Sequence, residues 1–113
     1  MASPLRGEIW YADFDPTVGH EQSGIRPALI VSDDRFNKGR GRMVFAAPLT
    51  SSFRNVVWQI EILPPEAGMK QRSFILCDQI RAMSADRFQS YIGNSSAKTL
   101  AEVEDRLRVL LGL

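Results

Sequence analysis

The side chains able to do chemistry in this chain fall into three short stretches. The first runs from Gly19 to Gly24 and carries His20, Glu21 and Gln22, with Arg26 and Pro27 just beyond it. A proline disfavours helical backbone for the residue before it, so Arg26 is extended. A polar loop thus feeds a stiff segment whose first side chain is a guanidinium, a planar fork of donors suited to clamping a phosphate. The same arginine reads otherwise as half of a surface salt bridge to Glu21 or an aspartate. The second stretch is Thr50-Ser51-Ser52-Phe53. Its hydroxyls can donate to phosphate oxygens and Phe53 can stack on a base, or the stretch is a Ser/Thr turn. The third is Asp78-Gln79, where Gln79 can read a base edge or simply satisfy a bend between apolar segments.

The rest of the inventory narrows the chemistry. With one histidine and one cysteine, the chain offers no zinc-ligand spacing. A carboxylate-only magnesium site stays open, but Asp13, Asp15, Asp33 and Asp34 suit turns and caps. No glycine loop of the P-loop or dinucleotide type occurs. A two-histidine acid–base pair is impossible within one chain, and a Ser-His-acid triad would have to use His20 in a turn-rich loop. Cys77 lies in an apolar run and reads as a core residue rather than a nucleophile. We therefore expect neither cofactor nor metal.

Net charge is +1, which says little about partners. Its distribution says more: Arg35, Lys38, Arg40, Arg42 and Arg54 occur in one stretch without an acidic residue. That is either an electrostatic footprint for phosphate or a solvated loop face.

These groups need elements to hold them. Gly7–Phe14 and Pro27–Ser32 read as strands around the turn-rich segment Asp15–Gly24. Asp33–Asn37 fits one helical turn, and Lys38–Arg42 a basic glycine loop. Met43–Leu49, Val56–Leu63, Ser73–Cys77 and Gln79–Met83 read as further strands, the last two as separate strands or one bent one. Ser84–Gln89 fits a helical turn. Ser96–Leu111 is a helix, with Leu100, Val103, Leu107, Leu110 and Leu111 at three- and four-residue spacing. Ser96 or Thr99 caps its start and Gly112 its end. Many short strands and one terminal helix predict a mainly β fold with α: a small, strongly bent antiparallel barrel.

With 113 residues, 44% of them hydrophobic, the chain is expected to form one domain over residues 1–113. Met1–Trp10 shows no signal-peptide pattern, and the longest apolar run, Met43–Leu49, is far too short to span a bilayer. A lone cysteine suits a reducing, cytoplasmic setting.

The ordered segments GEIWYADFDP and GHEQSGIRPALIVS, then AAPLT at Ala46–Thr50 and ILCDQIRAM at Ile75–Met83, resemble the MazF/PemK toxin family. The resemblance covers nearly the whole chain from Arg6 and is weakest over Val56–Arg72. It implies an SH3-like barrel with a C-terminal helix, acting as a homodimer. It implies cleavage of single-stranded RNA at short motifs by attack of the 2′-hydroxyl, leaving a 2′,3′-cyclic phosphate and a 5′-hydroxyl. It also implies an acidic antitoxin that blocks the RNA groove. On this resemblance Arg26 and Thr50 are the catalytic pair and Glu21 the loop carboxylate. Thr17, His20, Gln22, Ser51, Ser52, Phe53 and Gln79 are expected to contact RNA, with His20 standing where some relatives carry serine. The alternative is a toxin like the CcdB gyrase poison, of related architecture, which binds a protein and cuts nothing.

Overall fold

The computed structural model describes residues 3–113. Met1 and Ala2, part of the N-terminal segment read for a leader, lie outside them. The strands are β1 (Glu8–Asp13), β2 (Ile25–Ile30), β3 (Met43–Thr50), β4 (Gln59–Ile62), β5 (Ser73–Leu76), β6 (Arg81–Ser84) and β7 (Phe88–Asn94). One helical turn, α1 (Asp34–Asn37), lies between β2 and β3, and α2 (Ala97–Leu111) ends the chain. All pairings are antiparallel, in the order β4-β5-β3-β2-β1-β7, with β6 also on β3.

β3 is the hub. Its first half pairs β6, from Met43–Ser84 to Ala46–Arg81, and its end pairs β5 at Leu49–Ile75 and Thr50–Phe74. One strand serving two partners on the same edge must bend the sheet, which curls toward a barrel but stays open between β4 and β7. The expected small SH3-like antiparallel fold with a C-terminal helix is what the chain adopts, barrel-like rather than closed.

The run Ala28-Leu29-Ile30-Val31 carries no polar residue because both faces of β2 are covered. Successive strand side chains point to opposite faces. Ala28 and Ile30 enter one core with Phe14, Val44, Met83 and Phe88. Leu29 and Val31 enter the other with Ile9, Leu49, Ile75 and Val103. Helix α2 closes the second core: Val103 is fully buried, and Leu100 and Leu107 pack beside it. Burying one such side chain contributes about 1.5–3 kcal/mol. Leu110 is half-buried and Leu111 is 56% exposed, so the apolar stripe is wider than its own sheet covers.

The helix begins where expected. The Ser96 side chain accepts from Thr99 N–H, and Gly112 ends it in the left-handed region at φ 71°. α1 is capped likewise by Asp33. Three expectations are corrected. The strand expected over Gln79–Met83 is Arg81–Ser84, because Cys77–Gln79 form a 3-10 turn. The strand expected over Val56–Leu63 is confined to Gln59–Ile62, because exposed Val56 and Val57 belong to a loop. The helical turn expected at Ser84–Gln89 shrinks to a 3-10 turn at Ala85–Arg87, and the next residues form β7. β7 is an edge strand on β1 with two register shifts. Gly93 is required there, since a Cβ would lie 2.4 Å from the Ala67 carbonyl oxygen.

Among the described residues, no helix is long and apolar enough to cross a membrane.

Candidate active site

The loop between β1 and β2 is closed at its base. Phe14 N–H donates to the Gly24 carbonyl at 2.9 Å, and Gly24 N–H to Asp15 Oδ1 at 3.0 Å. Gly19 and Gly24 sit at positive φ, 63° and 75°, a conformation that glycine enters without strain. Within the loop, Glu21 Oε1 accepts from Val18 N–H at 2.8 Å.

Arg26 lies inside β2 rather than ahead of it, because the strand begins at Ile25. On one side it pairs with Ala12 of β1. On the other, the β2–β3 ladder runs Ile30–Ala46, Leu29–Ala47, Ala28–Pro48. Continued by two residues, that register sets Arg26 opposite Thr50. A hydrogen bond supports the extension: Arg26 Nη1 donates to the Leu49 carbonyl at 3.3 Å. Arg26 Nε donates to the Ser23 carbonyl at 2.9 Å. The guanidinium is therefore tied to both the loop and β3. Among the described residues no hydrogen bond to protein engages Nη2, which leaves it available as a donor.

Thr50 Oγ1 accepts from Ser52 N–H at 3.2 Å. A hydroxyl that accepts keeps its own proton free to donate. Ser51 and Ser52 follow in the exposed turn.

These groups line an open groove of about 880 Å³. Arg26, Arg54 and Lys70 supply positive charge, Thr50, Ser51, Ser52 and Ser73 supply hydroxyls, and among the described residues no carboxylate lines it. Tyr11 and Tyr91 add aromatic surface. Such a groove favours an extended polyanion: the cations raise the local potential, and no acidic side chain among the described residues of its lining opposes phosphate.

A neighbouring recess of about 330 Å³ holds His20, Glu21, Gln22, Asp78 and Gln79 over a floor of Phe14, Pro48 and Ile80. Gln22 lines both cavities, so a ligand crossing Gln22 meets Arg26 and Thr50 on one side and Glu21 and His20 on the other.

The structure thus divides the residues singled out from the sequence. Arg26, Thr50, Ser51 and Ser52 share the groove, His20, Glu21 and Gln79 share the recess, and Gln22 joins them. Two residues fall outside both cavities. Half-buried Thr17 lines neither. Phe53 packs instead on Phe74, ring centroids 5.3 Å apart, with the Arg72 guanidinium 5.4 Å from its ring. Lys70 went unread in the sequence, although Lys70 and Arg72 form a second small basic cluster after Pro64-Pro65.

The basic run from Arg35 to Arg54 does not act as one patch. Only Arg54 reaches the groove. Arg35 pairs with Asp33 at 3.0 Å and holds that carboxyl down at about 2. Lys38 and Arg42 line a separate cavity beside Pro4 and Leu5, and Arg42 also pairs with Asp86. Cys77 is fully buried, and burial pushes its thiol up to about 12, which keeps it from nucleophilic duty. Among the described residues no three His, Cys, Asp or Glu side chains converge to hold a metal ion.

Comparison with known proteins gives this geometry a context. The family model for PemK-like, MazF-like toxins of type II toxin–antitoxin systems matches residues 5–111. The chain is 35% identical over 114 aligned positions to Endoribonuclease MazF9 of Mycobacterium tuberculosis, covering 96% of each protein. The crystal structure of MazF from Deinococcus radiodurans superposes over the full length of both chains, with a TM-score of 0.87 and 32% identity. MazF in a MazE–MazF crystal structure from the same organism superposes over 100% of this chain and 99% of that one, with a TM-score of 0.79 and 31% identity. With its family model matched over nearly all its length, this chain belongs to the PemK-like, MazF-like toxins of type II toxin–antitoxin systems.

Proposed function

We propose that this protein is a sequence-specific endoribonuclease toxin that cuts single-stranded RNA by attack of the 2′-hydroxyl on the adjacent phosphate, leaving a 2′,3′-cyclic phosphate and a 5′-hydroxyl. The observation that carries it is the placement of Arg26 and Thr50 on neighbouring strands of a cationic, carboxylate-free groove. The names of its relatives support the activity class: proteins about a third identical over almost their whole length are endoribonucleases.

The reaction suits this inventory. RNA carries its own nucleophile beside the phosphate, so alignment supplies much of the acceleration. What remains is to stabilise charge on the phosphoryl oxygens and to move two protons. Arg26 Nη2 and the Thr50 hydroxyl meet the first need as donors already in place. A guanidinium holds its proton too tightly to serve as a good base. Glu21 is the carboxylate nearest in kind to a general base, and it reaches an RNA that crosses Gln22 into the recess. Messenger RNA cleaved in this way would stop translation and growth. A gyrase-binding toxin needs no Arg26–Thr50 pair.

Cleavage needs no metal in this scheme. Purified protein is expected to cut single-stranded RNA in excess EDTA, with mass spectrometry finding cyclic phosphate ends. RNA left intact in EDTA and cut once magnesium is restored would overturn the mechanism.

We place the toxin in the cytoplasm as a homodimer, held inactive by an acidic antitoxin that occupies the cationic groove. The exposed apolar side chains at the C-terminal end of the chain, Val109, Leu111 and Leu113, supply apolar surface for a protein partner. Sedimentation at micromolar concentration is expected to give a dimer, and a small acidic protein encoded beside this chain is expected to compete with RNA. A monomer counts against the first expectation. A ternary complex that still cuts RNA counts against the second.

A further inference from the structure

Arg26 takes its aim from the Ser23 carbonyl and the Leu49 carbonyl. Leu49 is buried in β3, but Ser23 belongs to an exposed loop flanked by two left-handed glycines. Something must hold that loop for Ser23 to be a fixed acceptor. Its base is fixed from β6 and the turn after it: Arg81 Nη1 donates to the Phe14 carbonyl at 3.1 Å, and Arg87 Nη1 to the Asp13 carbonyl at 3.1 Å. Its far part is fixed at one point. Gln22 N–H donates to Gln79 Oε1 at 2.9 Å. Among the described residues this is the hydrogen bond that joins positions 16–22 to the body of the protein.

We propose that Gln79 is a positioning residue for Arg26: its amide oxygen latches Gln22, which sets the next residue's carbonyl against the guanidinium. This rests on the endoribonuclease reading above. It differs from the role that the sequence suggests for Gln79, reading a base edge. The acceptor identity is dictated, because only the oxygen of a Gln amide can take a backbone N–H. The latch therefore needs an acceptor at this position and makes no use of the amide NH2 group. A base reader that pairs bidentately with a base edge would depend on that NH2 group as well as on the oxygen.

The two roles separate with two substitutions. Gln79→Met keeps the length and removes the acceptor. Gln79→Glu keeps an acceptor oxygen and removes the NH2 donor. Each is measured by single-turnover cleavage at saturating RNA, by the half-saturating RNA concentration, by the cleavage motif in a random-sequence RNA pool, and by amide hydrogen exchange across residues 15–24 without RNA. For Gln79→Met we expect faster exchange in the loop and a maximal rate about tenfold lower, the factor that about 1.4 kcal/mol of lost alignment represents. The motif stays unchanged. For Gln79→Glu we expect exchange and maximal rate to return close to wild type, while the added charge raises the half-saturating concentration. Gln79→Ser, too short to reach Gln22, repeats the Met test if that variant fails to fold. Unchanged loop exchange in the acceptor-less variants overturns the latch. So does a Gln79→Glu enzyme as slow at saturation as Gln79→Met with an altered motif, which would make Gln79 a base reader. If the wild-type protein cuts no RNA, the endoribonuclease reading falls, and the exchange data alone decide whether the latch exists.

Discussion

Arg26→Ala folds like the wild type and cleaves an RNA oligonucleotide at least about 100-fold more slowly, the loss expected when a preorganised donor is removed from a charged transition state. The arginine is half-buried in β2, opposite Thr50 by the extended β2–β3 register. Two of its nitrogens are spent on the Ser23 and Leu49 carbonyls. Those bonds fix the fork and leave Nη2 for a phosphoryl oxygen. The groove is open to water, which can replace the two lost bonds, so the alanine variant keeps its fold and circular dichroism matches the parent. Thr50→Ala falls in the same direction, because it removes the free hydroxyl proton. His20→Ser is expected to stay within roughly tenfold of wild type, a positioning effect of about 1.4 kcal/mol. Composition alone would favour His20, the side chain whose ordinary titration lies near neutrality. Yet His20 is exposed on the glycine-flanked loop and lines the recess rather than the groove. Single-turnover cleavage by the three variants decides between them. An inactive His20→Ser beside an Arg26→Ala that still cuts well would reverse the assignment.

Much of the scaffold for this site is legible in the residues, and what is not has physical causes. α2 is readable because one face of a helix repeats every three to four residues, and Leu100, Val103 and Leu107 keep that period. β2 and β3 are readable because strands covered on both faces carry unbroken apolar runs. β7 is not. As an edge strand bulged against β1, it exposes Gln89, Ser90 and Tyr91 in succession, so the alternation that marks a half-buried strand never appears. The site shows the same limit. Arg26 and Thr50 can each be nominated by residue type, and the proline after Arg26 predicts its extended backbone. Their juxtaposition depends on a ladder register set by how β2 and β3 pack into two cores. Phe53 looks like a stacking residue in the sequence, but the ring of Phe74 already packs against it. Lys70 reaches the groove from a turn between β4 and β5, where the sequence alone gives no reason to look.

A single 2′-deoxynucleotide placed just 5′ of the scissile phosphate leaves an otherwise identical RNA uncut. This is the largest effect expected of any change to protein or substrate. The attacking oxygen in the proposed reaction belongs to the RNA. Well-oriented intramolecular nucleophiles reach effective molarities of about 10⁵–10⁸ M, so its removal takes cleavage below detection. Water could take its place only without the tethering that holds the 2′-hydroxyl beside its phosphate, and that tethering is the larger part of the acceleration. The lining of the groove carries Arg26, Arg54 and Lys70 and, among the described residues, no carboxylate. Glu21 lies in the adjoining recess, its Oε1 bound to Val18 N–H. Binding should survive, since the cations and hydroxyls of the groove address phosphates and not the sugar hydroxyl. The substituted oligonucleotide is therefore expected to compete with intact RNA at a similar concentration, which separates lost chemistry from lost affinity. All-DNA of the same sequence is likewise expected to remain intact. Cleavage of the substituted bond at a rate comparable to RNA would mean that water is the nucleophile. Glu21 would then serve as base toward water instead of the 2′-hydroxyl, and Arg26 and Thr50 would serve a hydrolysis that needs no RNA hydroxyl at all.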